Sequence, residues 1–574
     1  MADTATPNIF ANPINRILKV IQLEKNEISS VYFYAILNGL IQLSLPLGIQ
    51  SIISFVLGGS ISTSLIVLII LVVFGVFLNG MLQVNQMRLI EKVQQKIFVR
   101  YSFEFAERIP KLNLLSVDAY YLPELVNRFF DTVTLQKGMT KLLLDIPAAS
   151  IQILFGLILL SFYHPVFIFF GIFMVLVVFS ILRLSSAKGM ESSLRESDYK
   201  YAIAGWLQEM ARVVKSFKYA KHTSLNIEKT DKLVTGYLAN RTIHFRVLLL
   251  QYWSLIGFKV VITAVMLIVG SVLLVNQQLN IGQFIAAEII ILMMINSVEK
   301  LIINLDTVYD VLTSVEKLGK VTDKAMEQEG GVELDRRKDG LSLELNNINF
   351  NYGVEAPSKN DALVDITFLM QPNEKICIMG RGGSGKSTLL KLLTGSYKNY
   401  SGSLLINSIP VNNYNLQSLR ACTGVVFSED DIFEGTLLEN ITMGWPNISA
   451  DHILEVGEKI GVKKYIAALP EGFNTHLYPV GKKLSQKVIR KILLLRALIN
   501  HPRLVMLEEP FNDIEDDVKE QIIDYLLHQN TDQTLLVISN DHTFAAQCDR
   551  VIIMEDGGLK AIGDWNAVKA FIKN

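Results

Sequence analysis

Three stretches of this chain carry almost no charge. From Ile28 to Met87 there is no Asp, Glu, Lys or Arg. About 20 apolar residues in a helix cross a hydrocarbon core of about 30 Å, so this run holds two spans. Its interruption, Gly58-Gly59-Ser60, reads as a tight turn. A second uncharged run, Ile146 to Leu182, is broken at Tyr163-His164-Pro165. A third, Val247 to Val298, contains only Lys259 and Glu288 and breaks around Asn276-Gln277-Gln278. The pattern predicts six membrane-spanning helices in three hairpins.

Charge sets the topology. The hairpin turns carry no Lys or Arg, whereas the connections Arg88 to Lys141 and Arg183 to Arg246 are rich in both. The positive-inside rule makes these connections and both termini cytosolic, with the turns outside. The connections are helically patterned, as in Met87-Arg88-Leu89-Ile90-Glu91-Lys92-Val93, so the spans run tens of ångströms into the cytosol. Ahead of the first span, Asn12-Pro13 signals a helix start, and Ile14, Ile17, Leu18 and Ile21 share one face. This fits an amphipathic helix on the membrane surface or an ordinary cytosolic helix. In the first span Asn38, Gln42, Pro46 and Gln50 recur every four residues, a stripe that lines a path or bonds helices together. Glu288, inside the last span, is a functional candidate or lies in a water-filled mouth.

Composition narrows the partners. With 54 Lys and Arg against 55 Asp and Glu in 574 residues, no basic excess argues for nucleic acid. Cys377, Cys422 and Cys548 lack metal-ligand spacing and read as reduced thiols. The expected division is 1–27 as a cytosolic N-terminus with the surface helix, 28–321 as an all-α transmembrane domain, 322–340 as a polar linker (TDKAMEQEGGVELDRRKDG) and 341–574 as a cytosolic α/β domain.

That last domain carries the chemistry. A strand, Glu374 to Met379, runs into Gly380-Arg-Gly-Gly-Ser-Gly-Lys-Ser-Thr388 and then the helical Leu389-Leu390-Lys391. This is a phosphate-binding loop in its required strand–loop–helix setting. Backbone N–H groups of Gly382, Gly383, Ser384, Gly385 and Lys386 cradle a phosphate, aided by the helix N-terminus. Lys386 reaches the β- and γ-phosphates of ATP, and Ser387, beside Thr388, can ligate Mg²⁺.

Further segments make the sequence resemble an ABC transporter half-molecule of the exporter type, closest to the toxin, protein-secretion and lipid-exporter branch. They are Asn349-Phe350-Asn351-Tyr352, Leu416-Gln-Ser-Leu419-Arg420, Gly435-Thr436, Glu439-Asn440-Ile441, Leu469-Pro-Glu-Gly472 and Gly282-Gln283-Phe284-Ile285-Ala286. The resemblance covers nearly the whole chain and implies a P-loop NTPase cassette behind a six-helix domain, in the cytoplasmic membrane. It implies a second half-transporter as partner, a homodimer or a heterodimer, with membrane lipid and an unidentified substrate as the other contacts. It places Tyr352 on the adenine of ATP. No peptidase domain is expected ahead of the first span.

Several positions depart from the family. Its Leu-Ser-Gly-Gly-Gln signature corresponds to Leu484-Ser485-Gln486-Lys487-Val488, so Ser485 is kept while both glycines are lost. In Leu504-Val-Met-Leu507-Glu508-Glu509-Pro510, Glu508 replaces the usual Mg²⁺-orienting Asp, and Glu509 stands at the general base. Ser428 stands where the family has a Mg²⁺- and water-contacting Gln, and Asn540 where it has a γ-phosphate-contacting His. His542 lies two residues on, and Pro479 occupies an expected Glu. These departures are either tolerated variations in a working ATPase or, as their concentration in four motifs beside an intact P-loop favours, the mark of ATP binding with slow or absent hydrolysis. The alternatives to export are a non-hydrolysing regulatory or scaffold subunit of a secretion or envelope complex and an importer or lipid flippase, against which the cassette fused after six spans argues.

Overall fold

The structure, a computed structural model, describes residues 11–59, 63–118, 120–220, 223–335, 339–353, 361–429 and 431–572. Residues 1–10 of the expected N-terminus, Ser60 of the first turn and 336–338 of the expected linker lie outside them. The chain forms two compact units: Met1–Leu112 with Tyr120–Lys324, and Asn113–Ala119 with Ala325–Asn574.

The first unit is helical: α1 (Ala11–Leu23), α2 (Lys25–Gln42), α3 (Ser44–Leu57), α4 (Thr63–Arg108), α5 (Leu122–Val126), α6 (Asp131–Thr140), α7 (Ile146–Tyr163), α8 (Val166–Arg212), α9 (Val214–Tyr219), α10 (Leu225–Val275), α11 (Ile281–Ile303) and α12 (Leu305–Thr322). Among the described residues six helical segments are long and apolar enough to cross a membrane. Helices stop at Leu57, Tyr163 and Val275, as the three sequence breaks require. The third turn shows how. Gln277 takes a left-handed φ of 57°, and Asn280 and Gln283 close a reciprocal capping box that starts α11. The first span is itself broken, because Pro46 has no N–H to donate to Gln42, and α2 gives way to α3 at Leu43. The polar stripe is therefore split over two helices. Gln50 serves as an interhelical bond, accepting from the Tyr163 hydroxyl at 2.6 Å. The buried Asn38 Oδ1 has no hydrogen-bond partner among the described residues.

α8 and α10, of 47 and 51 residues, are about 70 and 77 Å long at 1.5 Å per residue. Their inner faces are joined to α12 by polar contacts. Gln251 donates to Ser185 at 2.8 Å and to the Tyr309 hydroxyl at 3.0 Å. His244 sits between Ser192 at 3.1 Å and Asp306 at 3.0 Å. Such bonds are needed because an unpaired polar group in a dry interior is costly. Glu288 is half-buried on α11, whereas Lys259 pairs with Glu299 at 2.7 Å. On α1, Ile14 and Leu18 are exposed while Arg16 pairs with Glu316 and Asp323.

The second unit contains β1 (Leu343–Phe350), β2 (Leu363–Met370), β3 (Lys375–Gly380), β4 (Ser401–Ile406), β5 (Ile409–Pro410), β6 (Thr423–Val426), β7 (Gly435–Thr436), β8 (His476–Leu477), β9 (Leu504–Glu508), β10 (Thr534–Ile538), β11 (Arg550–Glu555) and β12 (Gly558–Gly563). One sheet has the order β12-β11-β3-β10-β9-β6, parallel except for the edge strand β12. Its inner strands, such as Leu504-Val-Met-Leu507, are buried on both faces and so read as unbroken apolar runs. A smaller antiparallel sheet has the order β2-β1-β4-β5. The parallel register sets Ile378, Ile538 and Glu508 side by side. The loops after β3, β10, β9 and β6 therefore emerge at one carboxyl edge, the usual ligand-binding edge of such sheets.

Candidate nucleotide-binding site

The P-loop follows β3 and ends in helix α13 (Lys386–Leu393). Two glycines are required by shape. Gly380 has φ 152° and a Cβ there would lie 2.3 Å from the Met554 carbonyl; Gly385 has φ 92° and a Cβ there would lie 2.6 Å from that of Ala362. At Gly382 and Gly383 an added Cβ would meet open space, so the mouth of the loop has room for a ligand. Lys386 Nζ donates to the carbonyls of Gly380 and Arg381, both at 2.8 Å, and to Ser384 Oγ at 3.2 Å. Burial lowers the pKa of this ammonium.

Glu508 ties two loops to this centre. Ser387 Oγ donates to its Oε1, and the Ser428 backbone N–H donates to its Oε2 at 3.1 Å. Thus Ser428 contributes its main chain to the site. The Ser387 hydroxyl and the Glu508 carboxylate are adjacent hard oxygen donors, the chemistry Mg²⁺ takes. The open space at Gly382 and Gly383, the helix N-terminus and Lys386 suit a triphosphate. Glu509 follows with a left-handed φ of 46°, its N–H bonded to the Ile538 carbonyl at 2.8 Å. Burial raises its carboxyl above the ordinary range, which suits a general base.

Tyr352 is half-buried beside α13, its hydroxyl 2.9 Å from Thr388 Oγ1. Asn540 follows β10 and its Oδ1 accepts the Gly380 N–H at 3.2 Å. It therefore anchors the P-loop backbone. His542 is in the first turn of a short helix, Asp541 capping it, with its ring 5.3 Å from Trp565. It lines a cavity of about 270 Å³ together with Gly380, Arg381, Asn540 and Lys560. Asp541 is held to a pKa of about 2. Burial pushes it upward, but the bonds from Lys519, Thr543 and the Phe544 N–H outweigh that.

Ser485 is the N-cap of the helix Gln486–Leu498, although its side chain caps nothing. Beside it Lys487 Nζ donates to Glu515 Oε1 at 2.7 Å, and Lys491 to Oε2 at 3.0 Å. The bond from Lys487 first, then that from the backbone at Glu515 and that from Lys491, pull the Glu515 carboxyl down to about 2. Sequence reasoning missed this clamp. Lys487 and Lys491 stand four apart on one helix face, where like charges repel unless an acid lies between them.

A family profile described as "ABC transporter transmembrane region" matches residues 30–298, and one described as "ABC transporter" matches residues 363–512. The "Alpha-hemolysin translocation ATP-binding protein HlyB" of Escherichia coli O157:H7 is 27% identical over 361 residues, 62% of this chain and 50% of that protein. This chain thus spans about half the length of that relative. The "Putative multidrug export ATP-binding/permease protein YgaD" of Bacillus subtilis is 24% identical over 564 residues, 92% of this chain and 93% of that protein. A solved structure, "Structure of a bacterial Atm1-family ABC exporter with ATP bound", superposes with TM-score 0.85 at 16% identity, covering 96% of each chain. Two profiles in the right order, the fused six-helix unit and the P-loop geometry agree: the chain belongs to the ABC transporters, as a multi-pass membrane protein with its transmembrane region fused to a cytosolic ABC cassette.

Proposed function

We propose that this chain is one half of an exporter. ATP binding, with weak hydrolysis, drives a peptide, protein or lipid out across the cytoplasmic membrane. The observation that carries this reading is the meeting of Lys386, Ser387 and Glu508 at one sheet edge, in a cassette that follows six apolar spans. The translocation and export named in two relatives support the direction. In this reading residues 28–321 form the pathway, 322–340 the linker and 341–574 the cassette, with α1 on the membrane surface. A second half-transporter, most simply another copy of this chain, completes the molecule.

Each residue has a task. Tyr352 stacks on adenine, and the P-loop amides with Lys386 neutralise the phosphates. Ser387 and Glu508 would hold Mg²⁺, which would supply positive charge to the phosphates. Glu509 takes a proton from the attacking water, and Asn540 keeps the P-loop in place.

The Lys487–Glu515–Lys491 clamp favours a second reading, a regulatory or scaffold subunit that binds ATP without turning it over. Reconstituted vesicles separate the two. Labelled peptide or lipid should move in the presence of ATP and stop in Lys386→Ala. ATP binding without movement would favour the regulatory subunit.

A further inference from the structure

Tyr352 belongs to a triangle of rings. Its centroid is 4.9 Å from that of Phe350, inclined at 80°, and 5.5 Å from that of Tyr397, inclined at 87°. Phe350 and Tyr397 are themselves 5.3 Å apart. Phe350 ends β1 and Tyr397 lies between α13 and β4, and both are buried. Tyr352 alone is half-open. Its pose is therefore set by two fixed neighbours and by Thr388.

A buried phenol needs a hydrogen-bond partner, and the partner of Tyr397 comes from far away in sequence. Its hydroxyl donates to Asp118, at 2.9 Å to Oδ2 and 3.2 Å to Oδ1. Asp118 lies in the connection between α4 and α5, in the segment that clusters with the second unit. That segment is a built turn. Asn113 Oδ1 accepts from the Leu115 N–H at 3.0 Å, the Asp118 N–H donates to the Leu114 carbonyl at 2.9 Å, and the Asn113 N–H donates to the Ala325 carbonyl at 2.9 Å. Val117 is buried.

We infer that Asp118 and Tyr397 are positioning residues of the base site: the turn at 113–118 sets, through Tyr397, the pose of the Tyr352 ring that receives the adenine. The inference rests on the reading of Tyr352 as the base-stacking residue. Without Asp118 the Tyr397 hydroxyl loses a charge-assisted bond, and its ring no longer has one defined tilt. The edge-to-face contact passes this looseness to Tyr352. Nucleotide affinity thereby depends on a residue from a connection between membrane helices.

The test compares ATP with inorganic tripolyphosphate, which lacks a base, on the purified full-length chain with Mg²⁺. The parent should bind ATP more tightly, and Tyr352→Ala should remove that advantage. Tyr397→Phe and Asp118→Ala should each weaken ATP binding about 2- to 10-fold, the range an edge-to-face aromatic contact supports. Tripolyphosphate binding should stay at the parental level. The double variant should be no weaker than either single one, and Asp118→Asn, whose amide oxygen still accepts, should keep most of the affinity. Unchanged ATP affinity in Tyr397→Phe and Asp118→Ala, with Tyr352→Ala impaired, would overturn the inference and leave the stacking role standing. An equal loss of tripolyphosphate would also overturn it, by showing damage to the whole cassette. If Tyr352→Ala binds ATP like the parent, the stacking role itself fails and the inference falls with it.

Discussion

Glu508 shows what one side chain can decide. Its two carboxylate oxygens take the Ser387 hydroxyl and the Ser428 N–H, so one group joins the P-loop to the loop after β6. If Ser387 and Glu508 hold Mg²⁺ as proposed, Glu508→Ala should leave Mg²⁺-free ATP binding near the parental level. The gain in affinity on adding Mg²⁺ should shrink about 10-fold or more. Nucleotide titrations with and without Mg²⁺ decide this, and an undiminished gain would remove Glu508 from the metal site. Asp541 makes a pH prediction. Its folded pKa of about 2 lies below the ordinary value of about 3.9, so its stabilising effect is complete above about pH 4. It is lost as pH falls through about 2. Asp541→Asn should therefore melt below the parent at pH 7, and the gap should narrow as melting is followed down to pH 3. At this scale the P-loop was legible, because its chemistry is contiguous in sequence. The bond from the Gly380 N–H to Asn540 was not, because it exists only once β10 pairs with β3.

Helices and turns were the most legible elements, since twenty apolar residues between polar breaks leave few alternatives. The sequence breaks at Gly58, His164 and Gln277 fall where the helices end. The division of the first span at Leu43 was harder to read, because one Pro within an apolar run is compatible with a kink or a continuous helix. The short turn at 113–118 has no periodicity and gave no signal. With cytosolic termini, single cysteines at positions 58, 164 and 277 should react with membrane-impermeant maleimides from outside intact cells. The three native cysteines are buried and should give little background. Labelling confined to opened cells would reverse the assigned topology.

For the whole molecule, the question is what one chain brings to a pair of cassettes. In the family this sequence resembles, each ATP lies between the P-loop of one subunit and the signature turn of the other. Two copies of this chain would build two equal sites, each with Ser428, Asn540 and the Gln486-Lys487 turn. A regular partner would repair only half of each. One site would keep this P-loop with Ser428 and Asn540 beside a good signature. The other would keep the Gln486-Lys487 turn against a good P-loop. Ser428 is bonded to Glu508 through its backbone, Asn540 is bonded to Gly380, and Lys487 is bonded to Glu515. A lost transition-state contact of this kind typically lowers turnover about 10²-fold or more. Steady-state ATPase activity should therefore be far below that of a fully regular transporter, for the purified chain alone and with any co-purifying half-transporter. ATP should then act mainly by holding cassettes together. The combined variant Ser428→Gln, Asn540→His, Gln486→Gly and Lys487→Gly should raise turnover, and Glu509→Gln should abolish the gain. Brisk turnover in the parent that disappears in Glu509→Gln would overturn this account, and would show that Glu509 needs none of those contacts to work.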